Sequence, residues 1–308
     1  APVRGRVPQT RQAMRDSMAA PQEKPLVKIA PNNPVFDLPV LVAQEAGLFD
    51  KAGVEVRYSA RYEDRAPTLT ERAVLSRLKE QLFECGSADT YNVCEWASID
   101  RLERGKRGGN IAALRAAVTA QAILTFDDRL QVPRDLAGVP VVVNEFTGSH
   151  YTTLQMLEGA VGRDNVKIEH VGAPQKRVEA LLKRSHRAVT VMEPYISLGL
   201  KEGAHMIAAS FYRGGEVISP TLTPEQRAAY YDAINAAVDL INADFTRYAH
   251  YIVAPVKGQL KPEELSRNFV RYGHVENYAA DRFGQTYEWM KSWGLASGAS
   301  EHDKLVLG

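Results

Sequence analysis

Cysteine is scarce: Cys85 and Cys94 are the only two in 308 residues. That excludes a disulfide scaffold and a cysteine-built zinc site. One disulfide between them is compatible with export, but the spacing does not demand it. The histidines, His150, His170, His186, His205, His250, His274 and His302, show neither HxxxH nor HxH spacing, so no metal site is expected. No run approaches the roughly 18 apolar residues of a membrane helix. A phosphate-binding loop is missing, because Arg107-Gly108-Gly109 lacks the Lys-Ser/Thr such loops require, and there is no Gly-x-Ser-x-Gly elbow. An excess of one charge is absent as well: 38 basic against 37 acidic residues leave +1. No global field therefore draws nucleic acid or an acidic membrane surface. The local cluster Arg101, Arg104, Lys106 and Arg107 reads as a solvated helix end. The first 25 residues are polar, lack the apolar stretch of a signal peptide, and read as a loosely held arm. Either such a signal has been removed and the protein is periplasmic, or it is cytoplasmic. No cofactor is called for.

What is present is a globular composition, 45% hydrophobic and 24% charged. Leu26 to Ala30 predicts a strand. The segment after the Pro31–Pro34 turn predicts a helix with Gly47 near its end, and Val54 to Tyr58 a second strand, together a βαβ unit. The alternation continues. A helix is expected over Thr70 to Gln81, a strand at Leu82 to Cys85, and a helix over Val93 to Arg104. Strands follow at Ile111 to Leu124 and at Val139 to Val143, the latter nearly unbroken in β-branched residues. Thr147 opens a helix through Leu157. Val166 to Val171 predicts a strand, Gln175 to Lys183 a helix, Ala188 to Met192 a strand, Tyr195 to Leu200 a helix and His205 to Ala209 a strand. From Thr223, a cap followed by Pro224, the pattern is almost wholly helical. The fold class expected is α/β with parallel-rich sheets, two lobes and a helical C-terminal tail.

The segment PVFDLPVLVAQEAGLFDKAGVEVRY, with Gly47-Leu48-Phe49 and Gly53, resembles the opening of the periplasmic solute-binding proteins of ABC importers for sulfonates, taurine, nitrate and the pyrimidine precursors of thiamine. DLAGVPVVVNEFTGSHYTTLQML and VTVMEPYISLGLKEGAHMI resemble later segments of that family. The likeness runs from about Leu26 to about Ile207. It implies a type II periplasmic-binding-protein-like fold: residues 26–118 plus 205–308 as one lobe, 119–204 as the other, and a ligand cleft between them. It also implies a small-molecule ligand and the membrane subunits of an importer as partners. Where relatives carry an acidic approach before the "E-P" pair, this chain has Lys183 to Ala188. The loop after its third strand is bulkier. The same fold also hosts decarboxylases, a desulfinase and thiamine-precursor synthases.

In such a sheet, ligands bind beyond the carboxyl ends of the strands, at helix N-termini. Three loops are candidates. In the loop from Asn144 to Thr152, Glu145, Thr147, Gly148, Ser149 and His150 can present backbone N–H groups and side chains to an anion, although Thr147 or Ser149 can equally be an ordinary N-cap. In the loop from Gly86 to Trp96, Tyr91 and Trp96 can line the cleft. Cys94, near a helix start where the dipole lowers a thiol pKa, can form a nucleophile–base pair with His150; a small buried hydrophobe is the alternative. In the loop from Asn32 to Asp37, Asn33 and Phe36 can bond and stack. Glu193 and Tyr195 follow a later strand and are ligand or hinge contacts. The leading expectation is a solute-binding protein for a small anionic or aromatic molecule. Its rival is a cytoplasmic enzyme cleaving a C–C or C–S bond of a small aromatic or heterocyclic acid with Cys94 and/or His150. A metabolite-sensing module is a third class.

Overall fold

The computed structural model describes residues 23–61, 75 and 77–308. The arm is therefore seen only at its end, and half of the helix expected over Thr70 to Gln81 lies outside the described residues. The first half of the chain runs β1 (Leu26–Ile29), α1 (Pro34–Glu45), α2 (Leu48–Lys51), β2 (Glu55–Tyr58), α3 (Leu78–Glu84), β3 (Thr90–Cys94), α4 (Glu95–Arg104), β4 (Asn110–Thr125), β5 (Pro140–Val143) and α5 (Gly148–Val161). The second half runs β6 (Lys167–His170), α6 (Pro174–Leu182), β7 (Ala188–Val191), α7 (Tyr195–Lys201), β8 (His205–Ile218), α8 (Pro224–Ala243), α9 (Phe245–Val253), β9 (Val270–Tyr272), α10 (Ala280–Ser292) and α11 (His302–Leu305).

The strands are ordered β2-β1-β3-β8-β4-β7-β5-β6, with β9 added to β4. Two parallel groups, β2-β1-β3 and β6-β5-β7, stand at the two ends. Between them runs the long antiparallel pair of β4 and β8, 16 and 14 residues. One end of this pair holds β3, through Thr90 opposite Ile218, and the other holds β7, through Thr125 opposite Ala188. In the middle the register breaks: Leu114 faces Gly215, yet Val118 already faces Arg213. The extra residues of β4 bulge where β9 joins at Ala117 to Thr119. Such bulges re-aim side chains, and the side chain re-aimed here is Arg115.

β5 is Pro140 followed by three buried valines, the signature of a strand covered on both faces. A smaller core of Ile123, Leu130, Leu136, Val141, Leu157, Ala188 and Ile207 sits beside the main one. Helix α8 starts with a capping box in which Thr223 Oγ1 accepts the Gln226 N–H (3.2 Å) and Gln226 Oε1 accepts that of Thr223 (2.9 Å). Helix α10 docks on α4 through buried Glu95, which accepts the hydroxyls of Tyr278 and Thr286 (both 2.7 Å) and Arg282 Nη2 (2.6 Å).

Four expected elements differ. Leu82 to Cys85 is the last turn of α3 and its cap, not a strand; a four-residue apolar run carries no period that separates the two. The strand lies instead at Thr90–Cys94, buried on both faces and so without alternation. That moves the start of α4 from Val93 to Glu95. The strand expected to end at Ala209 continues to Ile218, and the helical tail carries β9.

Candidate functional site

A cleft of about 60 Å³ opens at the carboxyl ends of the parallel strands. One wall comes from the β1–α1 turn (Asn32, Asn33, Phe36), from α3 and the residue before it (Arg77, Lys79, Glu80), and from Cys94 and Arg101. The long strands supply Arg115, Gln121 and Tyr212. Opposite them stand Asn144, Thr147 and Gly148 of the β5–α5 loop, with Pro174 and Arg177 of α6.

Cations dominate this lining. Arg101 is fully buried: it pairs with Glu80 (3.2 Å) and Asp100 (2.8 Å) and donates through Nη2 to the Phe146 carbonyl (2.7 Å). Arg77 Nη2 donates to the carbonyl of Glu145 (2.5 Å), and Lys79 Nζ to that of Asn92 (3.1 Å). Arg115 lies over the Phe36 ring at 4.1 Å and the Tyr212 ring at 5.2 Å. Its Nε and Nη1 donate to Ala117 O (3.2 Å) and Asn92 Oδ1 (3.3 Å), while Nη2 is buried without a hydrogen-bond partner among the described residues. Arg177 donates through Nη1 to the Thr190 carbonyl, and its buried Nε has no such partner. Burial pulls the Arg177 pKa down to about 10.

Behind the wall, acids back some of these charges. Asp37 accepts the Asn32 N–H (2.7 Å) and Asn92 Nδ2 (2.8 Å), and Asn32 Nδ2 bonds Asn92 Oδ1 (2.7 Å). Burial raises the pKa of Asp37 and pushes Glu216 up to about 7 against the pull of Arg115. A site with more donors than acceptors and little room is suited to a small oxyanion.

Of the residues expected at the site, Asn33, Phe36, Cys94, Thr147 and Gly148 line the cleft. Gly148 is needed there: a Cβ would stand 2.7 Å from Tyr212 Oη. The others lie behind it. Tyr91 packs edge-on against Phe83 (5.1 Å), and Trp96 is buried between Tyr151 (5.5 Å) and Tyr212 (5.7 Å). Tyr91 is core because β3 is buried on both sides, and Trp96 because the first turn of α4 is buried. Glu145 offers its carbonyl to Arg77, and its N–H goes to His170 Nδ1 (3.1 Å). Ser149 Oγ accepts the Asn144 N–H (3.0 Å). Thr147 is the N-cap residue of α5, yet its hydroxyl donates back to Asn144 O (2.7 Å) instead of capping the helix. Glu193 is fully buried and accepts Ser197 Oγ (2.6 Å) and N–H (3.1 Å); burial pushes its pKa up to about 7. Tyr195 is buried with it.

The nucleophile–base pair is not assembled. Burial raises the Cys94 thiol, overriding the helix start. His150 Nδ1 accepts the Phe146 N–H (3.1 Å), the ring packs on Phe146 and Tyr151, and burial pulls its pKa down to about 4. Of the basic run expected as a solvated helix end, Arg104 and Lys106 are exposed, but Arg101 points inward and Arg107 covers the Phe83 ring at 4.8 Å. Sequence reasoning missed every cation of the cleft. The available signal was Arg115 and Gln121 interrupting an otherwise apolar strand.

No family model matches the chain, and no curated protein sequence does. Solved structures do. The alkanesulfonate-binding protein SsuA from Xanthomonas axonopodis pv. citri, bound to MOPS, is similar at a TM-score of 0.68 and 13% identity, over 89% of this chain and 95% of that one. The periplasmic nitrate-binding protein NrtA from Synechocystis PCC 6803 is similar at 0.68 and 13%, over 90% and 84%. A DszB mutant in complex with biphenyl-2-sulfinic acid is similar at 0.60 and 14%, over 89% and 94%. No helix of the described residues is long and apolar enough to cross a membrane. The chain has the two-lobed α/β fold of the periplasmic binding proteins.

Proposed function

We propose that this protein is a solute-binding protein that captures a small oxyanion in the cleft and releases it unchanged. The observation that carries the reading is the lining itself. Five cationic side chains, Arg77, Lys79, Arg101, Arg115 and Arg177, face one lining carboxylate, Glu80, which Arg101 already engages. The lobes divide at the crossing of β4 and β8, so Arg115 comes from the central strands and Arg177 from the lobe of β5–β7. Hinge closure brings them together. The likeness to SsuA and NrtA supports an anion as cargo, a periplasmic location, and the membrane subunits of an importer as recipients. The enzyme reading rests on Cys94 and/or His150: burial opposes a thiolate at the first, and the second is buried with its Nδ1 taken by the Phe146 N–H.

The test is a thermal-shift series with methanesulfonate, nitrate and acetate, followed by native mass spectrometry. A ligand present at about 100 times its Kd stabilises by about 2.7 kcal/mol and should be recovered intact. Absence of any shift with all three anions, or consumption of the ligand, would sink the reading.

A further inference from the structure

Resting on that reading, we infer that Arg177 is the charge-selecting residue of the cleft: its guanidinium takes an oxyanion group of the ligand and is the reason a neutral isostere is refused. Four observations converge on it. Arg177 lines the cleft yet is only 2% exposed, so water solvates it poorly. It forms no ion pair among the described residues; the Thr190 carbonyl is its one hydrogen-bond partner, and its buried Nε has none. The titratable groups that act on it are the hydroxyls of Tyr195 and Tyr212, and no carboxylate is among them. It also sits in the first turn of α6, where the helix N-terminus adds positive potential of its own.

A buried cation in that setting works against folding unless an anion joins it. Arg101 makes the contrast, being equally buried but held by Glu80 and Asp100. Arg115 has buried Glu216 among the groups acting on it. Arg177 alone of these three has no acid beside it among the described residues, and the free volume at its side admits a group the size of a sulfonate or carboxylate. Fork-shaped bidentate recognition of such a group is what guanidinium offers and ammonium does not.

The experiment compares wild type, Arg177→Met and Arg177→Lys by melting temperature without ligand, and by titration with methanesulfonate, nitrate, acetate and neutral methanesulfonamide. Wild type should bind at least one of the anions and not the sulfonamide. Arg177→Met should keep or raise the ligand-free melting temperature while its affinity for that anion falls about 100-fold; Arg177→Lys should fall less. A merely structural arginine would give the reverse, a lower melting temperature with anion affinity retained, and that result overturns the inference while leaving the proposed function standing. Tight binding of methanesulfonamide by the wild type overturns it too. A wild type indifferent to all three anions sinks both.

Discussion

Replacing Gly214 by alanine should unfold part of the cleft's foundation, although it adds one methyl group. Gly214 faces Cys94 across the β3–β8 ladder. A Cβ there would collide with the Val93 carbonyl oxygen and stand 2.7 Å from both Cζ and Nε of Arg115. The carbonyl belongs to a central strand and cannot swing away, and Arg115 is held between Phe36 and Tyr212. Forced overpacking of this kind costs about 1–3 kcal/mol. With a urea m-value of about 3 kcal/mol/M, the unfolding midpoint drops by about 0.3–1 M. Gly159→Ala is the matched control. It adds the same methyl inside α5 with nothing within 4 Å of the new Cβ, so helix propensity alone acts and the midpoint rises by about 0.3 M. Circular dichroism across a urea series reads both. Equal midpoints for the two variants would refute the placement of Arg115 against β8. If the placement holds, the Gly214 variant also loses part of its anion response.

Arg101→Met should cost about 3–5 kcal/mol in a urea titration, because it strands Glu80 and Asp100 in the interior; a cost below about 1 kcal/mol would contradict the pairing. The native protein should react with one equivalent of a thiol reagent, at exposed Cys85, whose thiol the Ser87 hydroxyl (3.1 Å) lowers, and with a second only on unfolding, at Cys94. Two fast equivalents would place Cys94 in solvent. Glu193 binds its proton more tightly folded, at about 7 against the usual 4.5, so its stabilising contribution is full below 4.5 and is lost as pH rises through 7. Glu193→Gln should therefore gain on wild type by up to about 3 kcal/mol between pH 5 and pH 8; a pH-independent difference would count against the buried acid.

The alternating strands and helices, the valine strand β5 and the capped helix α8 were legible because each rests on local pattern: period, β-branching, Thr-Pro capping. The loop around Thr147 and Gly148 was legible because a sheet of this kind puts ligands at helix starts. What failed failed for one reason. Aromatic and polar residues next to those loops, Tyr91, Trp96, His150, Glu193, looked functional by chemistry, yet their side chains turn to the core, a choice of strand face for Tyr91 and of packing at helix starts and turns for the others. The converse holds for the arginines. Arg101 sits in a basic run that reads as surface, and its partner Glu80 is 21 positions away. Arg177 lies on a short amphipathic helix between apolar Pro174 and Val178, with nothing local to say that it faces inward.

The cleft's cations therefore differ in kind, and the difference assigns their roles. Lys79, Arg77 and Arg101 donate to carbonyls of the protein, the last two to the β5–α5 loop across the cleft. They tie elements of the cleft wall to one another. Arg115 and Arg177 each keep a buried donor that is unmatched among the described residues. Natural interiors rarely keep such groups, because an unmatched donor costs about 1–3 kcal/mol and more when charged. On the proposed reading, a chain that keeps two of them at one cavity gives up stability that a ligand restores, the trade between stability and function expected at a binding site. On that reading, these unmatched donors add to what the cationic lining already offers an anion.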